Sequence, residues 1–170
     1  MNYTFDELVC NVKFTIILSE NMFTPVKSRE KKFYIFDKFH VTVYKHTPKN
    51  LNVTGFRELN LIPKIISEIE TFFSVKCLTH KIDCVMLSYK GHSLLRLNNV
   101  INHSNLYSEN FYVDYNPELF NGLHLKAKIP HINHPSLNLF HTGSFQIFGK
   151  DIDKIKNALI ILEKLFPLIS

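Results

Sequence analysis

Alternation of apolar and polar positions is clearest between residues 137 and 148. Leu137, Leu139, Phe145 and Ile147 fall on one side of the pattern, and Asn138, Phe140, Gln146 and Phe148 on the other, around Thr142-Gly143-Ser144. A period of two on both sides of a glycine turn predicts a hairpin with one buried face. Its other face carries two amides and two phenylalanines, and exposed rings on an open sheet face call for a ligand or partner. Upstream, Tyr115-Asn-Pro-Glu-Leu-Phe-Asn-Gly-Leu123 reads as a further strand; downstream, apolar positions at helical spacing run to Phe166.

The first half carries a similar order. Residues 8–18 read as a strand, 27–32 as a charged loop, 33–36 and 39–44 as a hairpin about Asp37-Lys38, and 51–54 as a short strand ended by Gly55. Asn60 is placed to cap a helix over 61–73, with Pro63 in its first turn. That helix has apolar residues at Ile62, Ile65, Ile66, Ile69, Phe72 and Phe73; adding 93 gives Ile155, Ala158, Leu159, Leu162, Leu165 and Phe166. Gly55 and Gly149 differ by 94, whereas strand 8–18 meets 77–87 at an offset of 69. Strand, glycine and helix thus recur. The second copy is longer, by a segment between Tyr89 and Val113 expected to hold short helices and a loop. The expected fold class is α+β, with one repeat over 1–74 and a fuller one over 75–170.

Composition narrows function mainly by exclusion. A net charge of +5 with pI near 9.1 permits an anionic partner without requiring one. Three cysteines, Cys10, Cys77 and Cys84, lack a Cys-x-x-Cys spacing and suggest a reducing compartment. Neither a secretory leader nor an apolar run long enough to span a membrane is visible, so Asn52-Val-Thr54 is read as a chance sequon. His124, His131, His134 and His141 lie close in sequence without supporting thiolates or carboxylates, so no metal is expected, nor any cofactor. Phosphate loop, nucleophile elbow and paired carboxylates are missing, so the chain is not expected to be an enzyme. Heavy use of Asn, Lys, Ile and Phe, with no Trp, suggests an AT-rich genome.

Asn116-Pro-Glu-Leu-Phe-Asn-Gly-Leu123, then Leu137 to Ser144, then Gly149 and a long helix, together resemble the second repeat of the TATA-box-binding protein family. The match needs three extra residues around Pro130 to Pro135. The resemblance implies a saddle: two pseudo-symmetric repeats of antiparallel sheet plus a long helix, here with the first repeat and its stirrup loop shortened. It further implies a transcription initiation factor that binds AT-rich promoter DNA in the minor groove and bends it. The family's intercalating phenylalanines fall on Phe120 and Phe140; Tyr44 and Phe33 would stand in for the other pair. Asn138, Gln146, Phe148, Asn52 and Thr54 would face the DNA, and Lys126 a phosphate. Glu118 and Leu119 would meet a partner such as a transcription factor IIB-like protein or RNA polymerase components. Where the family places a base-contacting asparagine at the start of each first strand, Glu7 and Lys76 stand here. A second reading from the same resemblance is a protein-interaction module that recruits transcription machinery without strong DNA binding. A second protein subunit could complete the saddle. An accessory domain of a nucleic-acid enzyme is a third reading, disfavoured because no enzymatic segment accompanies it. The corresponding location is the nucleus, or a cytoplasmic site of viral transcription.

Overall fold

The computed structural model describes residues 3–128 and 134–170. Contacts divide the chain into two compact units, Asn11–Cys84 and a second made of Met1–Cys10 with Val85–Ser170.

One helical turn, α1 (Phe5–Leu8), leads into β1 (Val9–Leu18). Thr4 and Glu7 bond each other reciprocally across α1 as a capping box, which satisfies backbone donors that a helix start leaves open. The first unit continues with β2 (Lys31–Ile35), β3 (His40–Tyr44), β4 (Asn50–Phe56) and α2 (Ile62–Phe73). Its strands run antiparallel in the order β2-β3-β4-β1. Val41, Val43, Leu51, Val53, Phe14 and Ile16 are fully buried, as alternation requires, and α2 adds Ile62, Ile65 and Ile69 to the core. Each such side chain contributes about 1.5–3 kcal/mol of apolar burial.

The chain enters the second unit within β5 (Cys77–Tyr89). A 3-10 stretch, Leu97–Leu106, follows, then β6 (Phe111–Asp114), β7 (Gly122–Ala127), β8 (Ser136–Phe140), β9 (Phe145–Gly149) and α3 (Ile152–Ile169). The strand order is β5-β9-β8-β7-β6, each pairing antiparallel. Asp151 caps α3 by accepting from the Lys154 N–H, and seven residues from Ile155 to Ile169 are buried, with Phe166 edge-on to Phe145 at 6.1 Å. The first ten residues belong to this unit: Tyr3 rests on Tyr89 and Phe145, and the Lys156 ammonium lies 5.3 Å over the Phe5 ring.

Several expectations need correcting. Asn60 does not cap α2; a 3-10 turn over Leu59–Leu61 precedes it, and Leu61 is the cap residue, without a side-chain bond. Residues 115–121 are not strand: Pro117 to Leu119 form a turn, with the Leu119 and Phe120 amides both donating to the Asn116 carbonyl, and strand begins only at Gly122. The segment from 89 to 113 contains the strand β6 as well as helical turns. Helix α3 passes Phe166 and carries Pro167 inside its last turn, beyond the predicted end.

Candidate functional site

In the second unit, α3 covers one face of the sheet, and the half-exposed positions line the other. Pairing register draws them into transverse rows. Asp114 is opposite His124, His124 opposite Asn138, Asn138 opposite Gln146, and Gln146 opposite Ser88. One polar residue from each of five strands therefore stands in a line. A neighbouring row includes Tyr112 opposite Lys126, and Ser136 opposite Phe148, itself opposite Met86.

An aromatic group closes one end of this face. Phe120, at the end of the turn before β7, stacks on the His124 ring at 4.3 Å and 14°, and meets Phe140 at 5.7 Å. The His124 Nδ1–H donates to Asn138 Oδ1 at 2.6 Å in the tautomer that satisfies both, which turns the Asn138 NH2 group away from the histidine. Gly122 is the floor under the rings: a Cβ there would lie 2.6 Å from Phe120 and 3.0 Å from Phe140. The structure thus brings Phe120, Phe140, Asn138 and Gln146 together on one face. His124 and Gly122 are the residues that sequence reasoning missed as parts of the site. Their signal was the two-residue spacing of Phe120, Gly122 and His124, which places all three on one side once strand begins at Gly122.

Lys126, expected on a phosphate, is ion-paired with Asp114 on the adjacent strand. The hydrogen bond and charge of Lys126 hold the Asp114 carboxyl below its ordinary range, with a smaller pull from His124, and Asp114 in turn raises Lys126. A phosphate at Lys126 must compete with this carboxylate. Glu118 and Leu119 occupy the turn before Phe120; both are exposed, Leu119 at 84%.

In the first unit the helix-free face has a matching row: Phe33 opposite Thr42, Thr42 opposite Asn52, Asn52 opposite Thr15. Asn52 is occupied within it, accepting from the Thr15 hydroxyl at 3.2 Å and donating to the Thr42 carbonyl at 3.5 Å, while Thr15 also bonds Asp83. Thr54 donates to Asn11 Oδ1 at 3.4 Å, so the Asn11 NH2 end points elsewhere. Tyr44 ends β3 as Phe140 ends β8, opposite Lys31 where Phe140 is opposite Gly122. Phe33 lies two residues further along β2, against His40 at 5.4 Å, and Tyr44 rests on His46 at 5.6 Å. Among the described residues no ring contact joins Tyr44 to Phe33, so this pair is not assembled as Phe120 and Phe140 are. Beside Tyr44 is a cavity of about 350 Å³ lined by Lys27, Ser28, Arg29 and His46, all hydrogen-bond donors. It suits an anion.

Glu7 does not stand on the first strand: it belongs to α1, and its carboxylate is committed to Thr4. The outward asparagine of β1 is Asn11. Lys76 likewise precedes β5, its carbonyl accepting from Ser19 N–H. His124 is bound to Asn138 and His134 packs on Phe111 at 6.0 Å. His131, and with it most of the insertion expected around Pro130 to Pro135, lies outside the described residues, which resume at His134. Among the described residues no three His, Cys, Asp or Glu side chains gather to hold a metal, and no helix is long and apolar enough to cross a membrane.

No protein-family model matches the chain, and no curated protein does. Among solved structures it is similar to the Methanococcus jannaschii TBP, with a TM-score of 0.62 and 16% sequence identity over 92% of this chain and 97% of that one. At that identity the likeness shows the fold: antiparallel sheet with helices, in the arrangement of a TATA-box-binding protein.

Proposed function

We propose that this chain is a TATA-box-binding-like initiation factor, a duplication with repeats 1–74 and 75–170, that binds AT-rich duplex DNA through the helix-free sheet faces. The observation that carries the reading is the aromatic pair Phe120 and Phe140, seated on Gly122 beside the polar row that carries the Asn138 and Gln146 amides. The A·T minor groove offers chiefly acceptors, which suits the NH2 groups of Asn138, Gln146 and Asn11. Rings entering a base step unstack it and kink the duplex, a device for which the TATA-box-binding protein is the standing example. Phe148, Thr54 and Asn52 extend the contact; Asn52 acts mainly by fixing the row. Tyr44 and Phe33, which do not meet, give single flat contacts in place of a second wedge, and Lys27, Arg29 and Lys126 face phosphates. The kink is accordingly stronger beneath the second unit. Binding acts in the nucleus, or at a cytoplasmic site of viral transcription, and involves no catalysis or cofactor.

Gel shift and bend assays on AT-rich and GC-rich duplexes over a salt series test this. Phe120→Ala with Phe140→Ala is expected to abolish bending and weaken AT-rich binding by about tenfold or more, because the ring contacts and the wider interface that outweigh an unstacking cost of a few kcal/mol are lost. Unchanged bending would sink the wedge.

The exposed Glu118–Leu119 tip favours a second reading, a module that recruits transcription machinery, such as a factor IIB-like protein or polymerase components, without gripping DNA. An acid beside an exposed apolar tip fits a small partner contact. Here no duplex would bind at low salt, while Glu118→Arg would release the partner.

A further inference from the structure

We infer, on the reading that the helix-free faces meet duplex DNA, that Asp83 reads a base: its carboxylate accepts from the N2 amino group of a guanine, so the preferred site carries a G·C pair within an otherwise A·T-rich sequence. The polar row of the first unit runs from Phe33 through Thr42 and Asn52 to Thr15, and Asp83 is its next member. Thr15 stands between Phe14 and Ile16, both fully buried in the core, so its hydroxyl is on the helix-free side. That hydroxyl bonds Asp83 Oδ2 as well as Asn52 Oδ1. Alternation along β5 gives Asp83 the same orientation. His80 meets the core ring of Phe14 edge-on at 6.1 Å, and Asp83, at an odd spacing from His80, faces the opposite way.

The charge of this acid is not met from within the chain. Among the described residues the ion pairs are Lys45 with Glu30 and Lys126 with Asp114, so the acid in the second unit's row is neutralised and Asp83 is not. Nor, among the described residues, does a donor other than Thr15 reach Asp83, which is part-exposed and keeps Oδ1 open. Lys13 and Lys81, at two-residue spacing from Thr15 and Asp83, are exposed on the same face and offset the approach of a carboxylate to the phosphates.

An ionised carboxylate only accepts hydrogen bonds. Adenine N3 and thymine O2 also only accept, so an A·T pair beneath Asp83 sets acceptor against acceptor, whereas guanine N2 is the donor that a G·C pair adds to the minor groove. The outward amides of Asn138, Gln146 and Asn11 can donate to the acceptors of either pair. Asp83 is the member of the face that tells the pairs apart.

Base analogues test this on the unaltered chain. A panel of AT-rich duplexes carries a single G·C pair at each position in turn; inosine in place of guanine then removes only the N2 amino group, and diaminopurine in place of adenine adds it. At one position the guanine duplex should bind roughly tenfold tighter than its inosine counterpart, and diaminopurine there should give a similar gain over adenine. Asp83→Asn, with folding checked by thermal melting, should erase both preferences; the analogue series decides without it if that variant does not fold. Binding that ignores the N2 amino group at every position, or that is weakened by it throughout, overturns the assignment and leaves the DNA reading standing. So does a folded Asp83→Asn chain that keeps the guanine preference. Failure to bind any duplex at low salt overturns both.

Discussion

At the level of single residues, the aromatic group exists because Gly122 has no side chain. A methyl there would meet Phe120 Cε1 at 2.6 Å and the Cδ1 and Cε1 atoms of Phe140 at 3.0 Å, so the rings must part. Gly122→Ala is expected to break the Phe120–His124 stack, seen as loss of ring-current shifts on His124, at a stability cost of about 1 kcal/mol because half-exposed rings can yield. Ser74 illustrates a different constraint: it ends α2 in the left-handed region at φ 52°, which costs an L side chain roughly 1–2 kcal/mol. Ser74→Gly should raise stability by about 0.5 kcal/mol in urea denaturation, the added chain entropy of glycine offsetting part of the relief. The pairing of Phe120 with Phe140 could be anticipated from spacing and motif. The histidine between them could not, because its stacking depends on where the turn at 117–119 gives way to strand.

Among elements, the hairpin β8–β9 was legible because alternation and a turn glycine point to the same register. Gly143 has φ 77° there, as a tight turn requires. Helices α2 and α3 were legible from apolar spacing, but not their ends: the 3-10 turn before α2 and the last turn of α3 reflect tertiary packing, which no cap signal encodes. β6 is four residues long and becomes a strand only by pairing with β7, so the local sequence around Phe111 carried no sufficient period. Phe111 is 2% exposed and anchors that strand. Phe111→Ala should cost about 3–4 kcal/mol and loosen the turn that presents Leu119 and Phe120, measurable as faster amide exchange over 111–121.

For the molecule as a whole, the net charge of +5 supports long-range attraction to anions, but local pairing sets how many cations respond. Asp114→Asn should free Lys126 and steepen the salt dependence of duplex binding by about one unit of log–log slope. No steepening would separate Lys126 from the phosphate contacts. At high pH, burial and the Glu163 carboxylate hold the Tyr3 phenol well above its ordinary value. The folded state then keeps a proton that the unfolded state loses near pH ~10, so stability should fall as pH rises past that point. Lys126 adds to the trend, and Tyr3→Phe should flatten it in thermal melts taken between pH 9 and 11 as rough limits.

The assignment of residues 1–10 to the unit of residues 85–170 also has a temporal side. Translation proceeds at roughly 5–20 residues per second and domains fold as units, so Asn11–Cys84 can settle while the remainder is still being made. Tyr3 and Phe5 must wait for Tyr89, Phe145 and Lys156. The earliest of these residues to leave the ribosome are thus among the last to dock. During that interval they stay open to a chaperone, apart from the settled Asn11–Cys84 unit.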